Sequence, residues 1–257
     1  MNQKFNMFLD QLWARRVLAR WRRLAGRAST ADLPGLRSFL GSVRQLRREL
    51  DRVLHVAEGR LANPSAGPVA IRKPLMADWV WRPEAWSGPI TPSGQAEVED
   101  RFAFGEEVTV FHDCHHSELS VRQVRNSSAH DLAPFGLRLD VFRFDGSFLS
   151  LALDLPAGGF EGIRRSHVIG LNIVIETERP LEIFVRLNIK HGPNTEQIVR
   201  EVSLTEPDVL VEFDLAYTKM NEKRVERAWI DLIFEGPEMN QILLRDLTMS
   251  RRPRADL

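Results

Sequence analysis

Two hydrophobic spacings divide this chain, and they change over near residue 97. Upstream the apolar positions recur every three to four residues. Residues 12–27 read LWARRVLARWRRLAGR. At about 100° per residue on a helix, Trp13, Ala14, Val17, Leu18, Trp21, Leu24 and Ala25 fall on one side. Arg15, Arg16, Arg20, Arg22, Arg23 and Arg27 fall on the other. Gly26 and Ser29-Thr30 punctuate its end. A second helix is predicted to follow, with Asp32 as N-cap and Pro34 in its first turn. It carries Leu36, Phe39, Val43, Leu46, Leu50, Val53 and Ala57, which is a/d heptad spacing. So short a stripe needs a partner helix, either the first helix folded back or residues 36–57 of another copy.

Residues 63–96 break both spacings. They hold Pro64, Pro68, Pro74, Pro83, Pro89 and Pro92, and proline at this density forbids a long helix or a central strand. Trp79, Trp81 and Trp86 lie close together in the same stretch. Three indoles are costly to leave in water, so the segment is expected to lie along the body and cover it.

From 97 onward the period is two, which predicts strands around 107–114, 118–124, 137–144, 147–154, 168–176, 181–190, 196–204, 209–215, 227–235 and 241–250. Asp145-Gly146 between two alternating runs predicts a hairpin of 137–144 with 147–154. In 181–190, Leu181, Ile183, Val185, Leu187 and Ile189 share one face, and Glu182, Phe184, Arg186, Asn188 and Lys190 the other. One apolar and one polar face fit an antiparallel sandwich. The domains expected are a basic helical segment (1–62), a Pro/Trp-rich linker packed on the body (63–96) and a β-sandwich (97–257).

Charge sharpens this division. Residues 1–62 carry 13 Lys/Arg against 5 Asp/Glu, a balance of +8, and the rest carry 22 against 30, a balance of −8. A basic amphipathic helix with indoles on its apolar face suits an anionic membrane surface, with Trp13, Arg16, Arg20, Trp21 and Arg23 as the contacting residues. Nucleic acid is not the expected partner. The single cysteine, Cys114, excludes an internal disulfide and suits a cytoplasmic protein, peripheral at the inner membrane face. No apolar run is long enough to span a bilayer.

Two patterns could carry chemistry. In His112-Asp-Cys-His-His116, a strand would project His112, Cys114 and His116 to one face, a plausible zinc ligand set. No Gly-x-Ser-x-Gly elbow and no phosphate-binding glycine loop is present. The second pattern is a polar constellation in the last third. Arg186, Asn188 and Lys190 alternate on one strand, Asn194 lies in the turn after it, and Trp229 and Asp231 share a face further on. Tyr217 is the only tyrosine. Amides and charged groups around an aromatic are what sugar hydroxyls and a sugar ring's apolar face require.

The run from His167 to Arg252 resembles the galactose-binding-like jelly rolls of many carbohydrate-binding modules. The likeness lies in strand order and in the ending Trp229-Ile-Asp-Leu-Ile-Phe234, a short turn, then Ile242-Leu-Leu-Arg-Asp-Leu-Thr-Met249. RLNIKHGPNTEQ (186–197), EFDLAYTKMNEKRVE (212–226) and FDGSFLSL (144–151) resemble an uncharacterised bacterial family of alphaproteobacterial type, which implies no particular activity. The expectation is therefore a mainly β protein, a jelly-roll-like sandwich behind a basic two-helix head. It would act as a non-catalytic binding or adaptor protein that recognises a glycan-like ligand, without a cofactor. The alternatives are a metal-dependent enzyme centred on His112, Cys114 and His116, with zinc as the cofactor, and a structural subunit assembling through the heptad helix.

Overall fold

A computed structural model describes residues 2–62, 71–128 and 130–254, with side chains from Arg15 onward apart from Ser38, Arg60 and Ala62. The first eight residues of the expected linker, 63–70, lie outside the described residues. The chain forms two compact units that divide between Val53 and Leu54.

The first unit holds α1 (Asn2–Arg27) and most of α2 (Leu33–Ala62). The Leu36 N–H donates to the Asp32 carbonyl at 3.0 Å, so Asp32 takes the N-cap position its sequence suggested. No described residue between 15 and 53 is buried. Trp21, Leu24, Leu36, Phe39, Val43 and Leu46 are half-buried, whereas Leu50 and Val53 are 54% and 64% exposed. The last turns of α2 belong to the second unit. The His55 ring lies 3.1 Å from the Pro89 carbonyl, and Gly59 packs so close to Ser87 that a Cβ there would sit 2.2 Å from its oxygen. The second unit therefore starts inside the helix rather than at the proline-rich stretch, because that helix end has a packing partner.

The second unit is an antiparallel β-sandwich. Its strands are β1 (Trp79–Trp81), β2 (Gly94–Gln95), β3 (Phe102–Phe104), β4 (Val108–His112) and β5 (Leu119–Arg125). They continue with β6 (Phe135–Val141), β7 (Leu149–Asp154), β8 (His167–Thr177), β9 (Glu182–His191) and β10 (Asn194–Glu201). The last are β11 (Asp208–Asp214), β12 (Val225–Glu235) and β13 (Asn240–Pro253). One sheet runs β11-β8-β13-β6-β5-β2, with β1 added on the far half of β13. The other runs β10-β9-β12-β7-β4-β3. The steps from β4 to β5, β6 to β7, β8 to β9, β10 to β11 and β12 to β13 each cross between sheets. That repeated crossing is jelly-roll topology.

Period-two patterning builds the core between the sheets. Ile183, Val185, Leu187 and Ile189 of β9, and Ala228, Ile230, Leu232 and Phe234 of β12, are at most 1% exposed. Trp86 joins them at 0% from α3 (Glu84–Ser87). Trp79 and Trp81 stack with centroids 6.1 Å apart and pack against the core.

The expected hairpin at Asp145-Gly146 does not form. β6 lies in the first sheet and β7 in the second, and the connection carries the chain from one to the other. Asp113 accepts hydrogen bonds from the Ser147 N–H (2.7 Å), the Ser147 hydroxyl (2.6 Å) and the Phe148 N–H (3.2 Å). Asp145 accepts from the His115 N–H at 3.1 Å. These bonds lace the β6–β7 loop to the β4–β5 loop. A Cβ on Gly146 would lie 2.5 Å from Asp113 Oδ1, so this glycine serves close approach between loops. Its φ is not positive, which a type I′ turn would require.

α3 bears on a carboxyl with an unusual acidity. Glu107 Oε2 accepts the Glu84 N–H at 2.7 Å, and the Glu106 N–H donates to Glu84. Burial pushes the Glu107 carboxyl up from 4.5 to about 7, with Glu84 and Glu106 adding like-charge repulsion against hydrogen bonds from Glu84 and Trp81. An acid with a raised pKa is neutral in the fold while the unfolded chain ionises. Its stabilising contribution is therefore present below pH 4.5 and lost as pH rises through about 7. Glu107→Gln should leave thermal stability unchanged at pH 4 and raise Tm by roughly 2–4 °C at pH 8, after allowance for solvent screening. Equal shifts at both pH values would show that Glu107 does not titrate this way.

Candidate functional site

The outer face of the second sheet gathers four of the expected residues. Alternation that sends Ala228, Ile230 and Leu232 inward sends Trp229 and Asp231 outward. Register then sets Trp229 opposite Asn188 and Asp231 opposite Arg186 on β9. Gln197 of β10 lies opposite Asn188 on the other side. Asp154 of β7 lies opposite Trp229, and Ala152 opposite Asp231.

These side chains form one hydrogen-bonded network. Asp231, 6% exposed, accepts from Arg186 Nε at 2.9 Å, Arg186 Nη2 at 2.8 Å and Asn188 Nδ2 at 2.9 Å. Asn188 is fully buried, and its Oδ1 accepts from Gln197 Nε2 at 2.9 Å. Half-exposed Trp229 stands beside this network with the Arg227 guanidinium 5.0 Å from its ring centroid. Arg227 Nε is held by Asp154 at 2.7 Å. The result is a preset array of carboxylate, guanidinium and amide around one indole, on rigid strands.

Gln197, Arg227 and Asp154 were not legible as members. Only strand pairing brings them to Trp229, although the alternation of Gln197 on its own strand is a local signal.

The other expected residues lie apart. Lys190 shares the face but sits at its end, 3.2 Å from Glu226. Asn194 opens β10 opposite His191, so strand alternation turns it away, and Thr195 takes the outward place opposite Lys190. Tyr217, 82% exposed, lies in a 3₁₀ turn after β11, the edge of the first sheet, with the Arg254 guanidinium 5.6 Å from its ring. In the head, Arg16, Arg20 and Arg23 are exposed and Trp21 is half-buried; the Trp13 side chain lies outside the described residues.

His112, Cys114 and His116 do not converge. β4 ends at His112, so the alternation expected through residue 116 stops there. His112 is buried, with Nε2 donating to the Val98 carbonyl at 2.7 Å and Nδ1 accepting the Cys114 N–H at 3.2 Å. Both ring nitrogens are thus engaged. His116 is exposed and leans toward Asp145 at 3.8 Å. Burial pushes the Cys114 thiol up, which opposes the thiolate a metal needs. Among the described residues, no group of three or more His, Cys, Asp or Glu is placed to share a metal ion.

Over residues 1–257 the chain matches a family described as "Family of unknown function (DUF6478)". No curated protein matches its sequence. Among solved structures it is similar to the enzymatically active domain of tailspike protein 4 from bacteriophage CBA120, at 7% identity and a TM-score of 0.40, over 55% of this chain. It spans 19% of that tailspike chain. It is also similar to the CBM22-1 xylan-binding domain of Xyn10C from Paenibacillus barcinonensis, at 9% identity and a TM-score of 0.38, over 60% of this chain and 92% of that one. The family 11 carbohydrate-binding module from Clostridium thermocellum, solved with a mixed-linked tetrasaccharide, matches at 10% identity and a TM-score of 0.35, over 63% and 97%.

Proposed function

We propose that this chain, which belongs to the DUF6478 family along its whole length, is a non-catalytic glycan-binding protein whose basic helical head attaches it to an anionic membrane surface. One observation carries the glycan reading: the Arg186–Asp231–Asn188–Gln197 network beside half-exposed Trp229 on the outer face of the second sheet. A sugar offers adjacent hydroxyls, each donor and acceptor at once, and one apolar ring face. The half-buried Arg186 guanidinium donates to such hydroxyls and the exposed Gln197 amide donates to and accepts from them, while the buried Asp231 and Asn188 hold both in place. The indole takes the ring face. The network is hydrogen-bonded before any ligand arrives, so little side-chain entropy remains to be lost on binding. Arg227 covers the indole through a cation–π contact of about 0.5–1 kcal/mol at an exposed site, weak enough for a stacked ring to displace.

Retardation of the full chain in gels containing a panel of neutral and acidic polysaccharides tests this reading. At least one polysaccharide should retard it, and Trp229→Ala and Asp231→Asn should each weaken retardation by about tenfold or more. No retardation by any member of the panel, or undiminished retardation of both variants, rejects the glycan reading.

The head supports attachment to a surface rather than insertion. No described helix is long and apolar enough to cross a membrane. On α1 the arginines are exposed, and Val17 and Leu18 are 47% and 51% exposed. An exposed apolar stripe backed by guanidinium groups matches an anionic headgroup layer. The chain should therefore co-sediment with anionic vesicles and not neutral ones, less so at high salt. Trp13→Ala/Trp21→Ala should weaken that binding. Equal binding to neutral vesicles rejects the charge-based reading.

A further inference from the structure

On the outer face of the first sheet lies a cleft of about 180 Å³. Its floor is four neighbours in register, Asn172 and Val174 on β8 against Thr248 and Asp246 on β13. Its walls come from segments far apart in the chain. Arg72 and Asp208 stand on one side, and the turn through His130–Leu132 with Arg245 on the other. An ordinary solvated sheet face has no such walls. Three separate segments converge here to make it concave, and concavity is what distinguishes a binding site from a surface.

The charges in the walls are matched. Arg72 Nη1 lies 2.8 Å from Asp208 Oδ2, and Asn172 Nδ2 donates to Asp208 Oδ1 at 2.7 Å. Arg245 pairs with Asp131 and, at 2.6 Å, with Glu176. Asp246 is held by Arg82 through two bonds of 2.8 and 2.7 Å. Among the residues that line the cleft, the guanidiniums of Arg72 and Arg245 thus stand with the carboxylates of Asp131, Asp208 and Asp246, while Arg82 and Glu176 pair with them from outside the lining. The near-balance gives an anion no net attraction, and a bare cation would compete with arginines already in place. Yet the exposed Arg72–Asp208 pair keeps further capacity, since a carboxylate has about four lone-pair sites and a guanidinium five N–H donors. Groups that both donate and accept fit this pattern without disturbing it. Val174 and Leu132 add apolar surface between the polar groups. The volume is below the roughly 300 Å³ at which drug-sized pockets begin, so the occupant is small.

We propose that this cleft is a binding site for one neutral polyhydroxylated ring, a single sugar unit or a cyclitol, separate from the Trp229 face on the opposite sheet. The ring's hydroxyls bridge the paired charges at the two ends, and its apolar face lies over Val174. This site stands on its own geometry and does not require the glycan reading of the other face.

The test titrates the full chain with methyl β-glucoside, methyl β-galactoside and myo-inositol, read by saturation-transfer NMR and thermal shift. At least one probe should saturate and raise Tm. Val174→Trp, which fills the cleft, and Asn172→Ala, which removes an amide from its floor, should each weaken that probe by about tenfold. Trp229→Ala should leave it unchanged. Asn172→Ala keeps the test decisive where Val174→Trp disturbs folding, since Asn172 is only half-buried. Saturation by none of the three probes overturns the proposal, as does undiminished binding in the cleft variants. Loss of the signal in Trp229→Ala alone would instead assign the sugar to the other sheet.

Discussion

Trp86→Ala is expected to lower unfolding stability by about 3–5 kcal/mol. The ring is 0% exposed in α3, and its indole N–H donates to the Leu244 carbonyl at 2.9 Å. Alanine would leave a cavity and remove the indole donor from the buried Leu244 carbonyl, and the site has little freedom to collapse. Gln123 pins the surrounding backbone, with Nε2 donating to the Ala85 carbonyl at 2.7 Å and the Gly88 carbonyl at 2.8 Å, and Oε1 accepting the Ile90 N–H at 3.1 Å. Denaturant titration measures the loss directly. Trp86→Phe should cost less than the alanine variant, because it restores most of the volume and forfeits the hydrogen bond, a net of about 1 kcal/mol. A loss under about 1 kcal/mol for alanine would mean that the α3 segment is not part of the cooperative core.

The second large effect concerns Arg82 and Asp246. Both side chains are nearly buried, at 6% and 9% exposure, and their contact is bidentate. Asp246→Ala should cost about 3–5 kcal/mol, because it takes from a nearly buried guanidinium the carboxylate that holds it at 2.8 and 2.7 Å. The double variant Arg82→Met/Asp246→Leu should be far less damaging, within about 1–2 kcal/mol of the parent, since the desolvation cost of both ions disappears together. Additive losses in the double variant would show that each residue stabilises the fold through other contacts. The pair joins the segment after β1 to β13 across 164 positions of sequence. Its failure should therefore expose the outer face of the first sheet and abolish the Asp246 side of the cleft.

These predictions rest on contacts that local sequence did not show equally well. The strands from β4 to β13 lie within a few residues of the stretches that period-two alternation marks, because alternation reports directly which residues face a core. Trp229 and Asp231 share their outward face for the same reason. Asn194 illustrates the limit. It belongs to a polar run, yet one residue of register places Thr195 and not Asn194 on the Trp229 face. Tyr217 was the obvious aromatic by composition, but the crossing after β11 leaves it at the edge of the first sheet. The histidines near Cys114 looked like ligands only while β4 was taken to run through them.

The sequence by itself determined the basic helical head, the switch to a sandwich, the inward residues of each strand, and the outward placement of Trp229, Asp231, Arg186 and Asn188. Each of these depends on neighbours within a few positions, where helix and strand geometry is set by short-range sterics and hydrophobic spacing. Tertiary structure alone decided which strands pair, that Asp145-Gly146 crosses between sheets, and that Gln197, Arg227 and Asp154 complete the Trp229 face. It alone brought Arg72, Asp131, Asn172, Asp208 and Arg245 around one cleft. Such groupings arise when strands distant in sequence pack to bury a shared core, and that packing energy belongs to the whole sandwich rather than to any one segment.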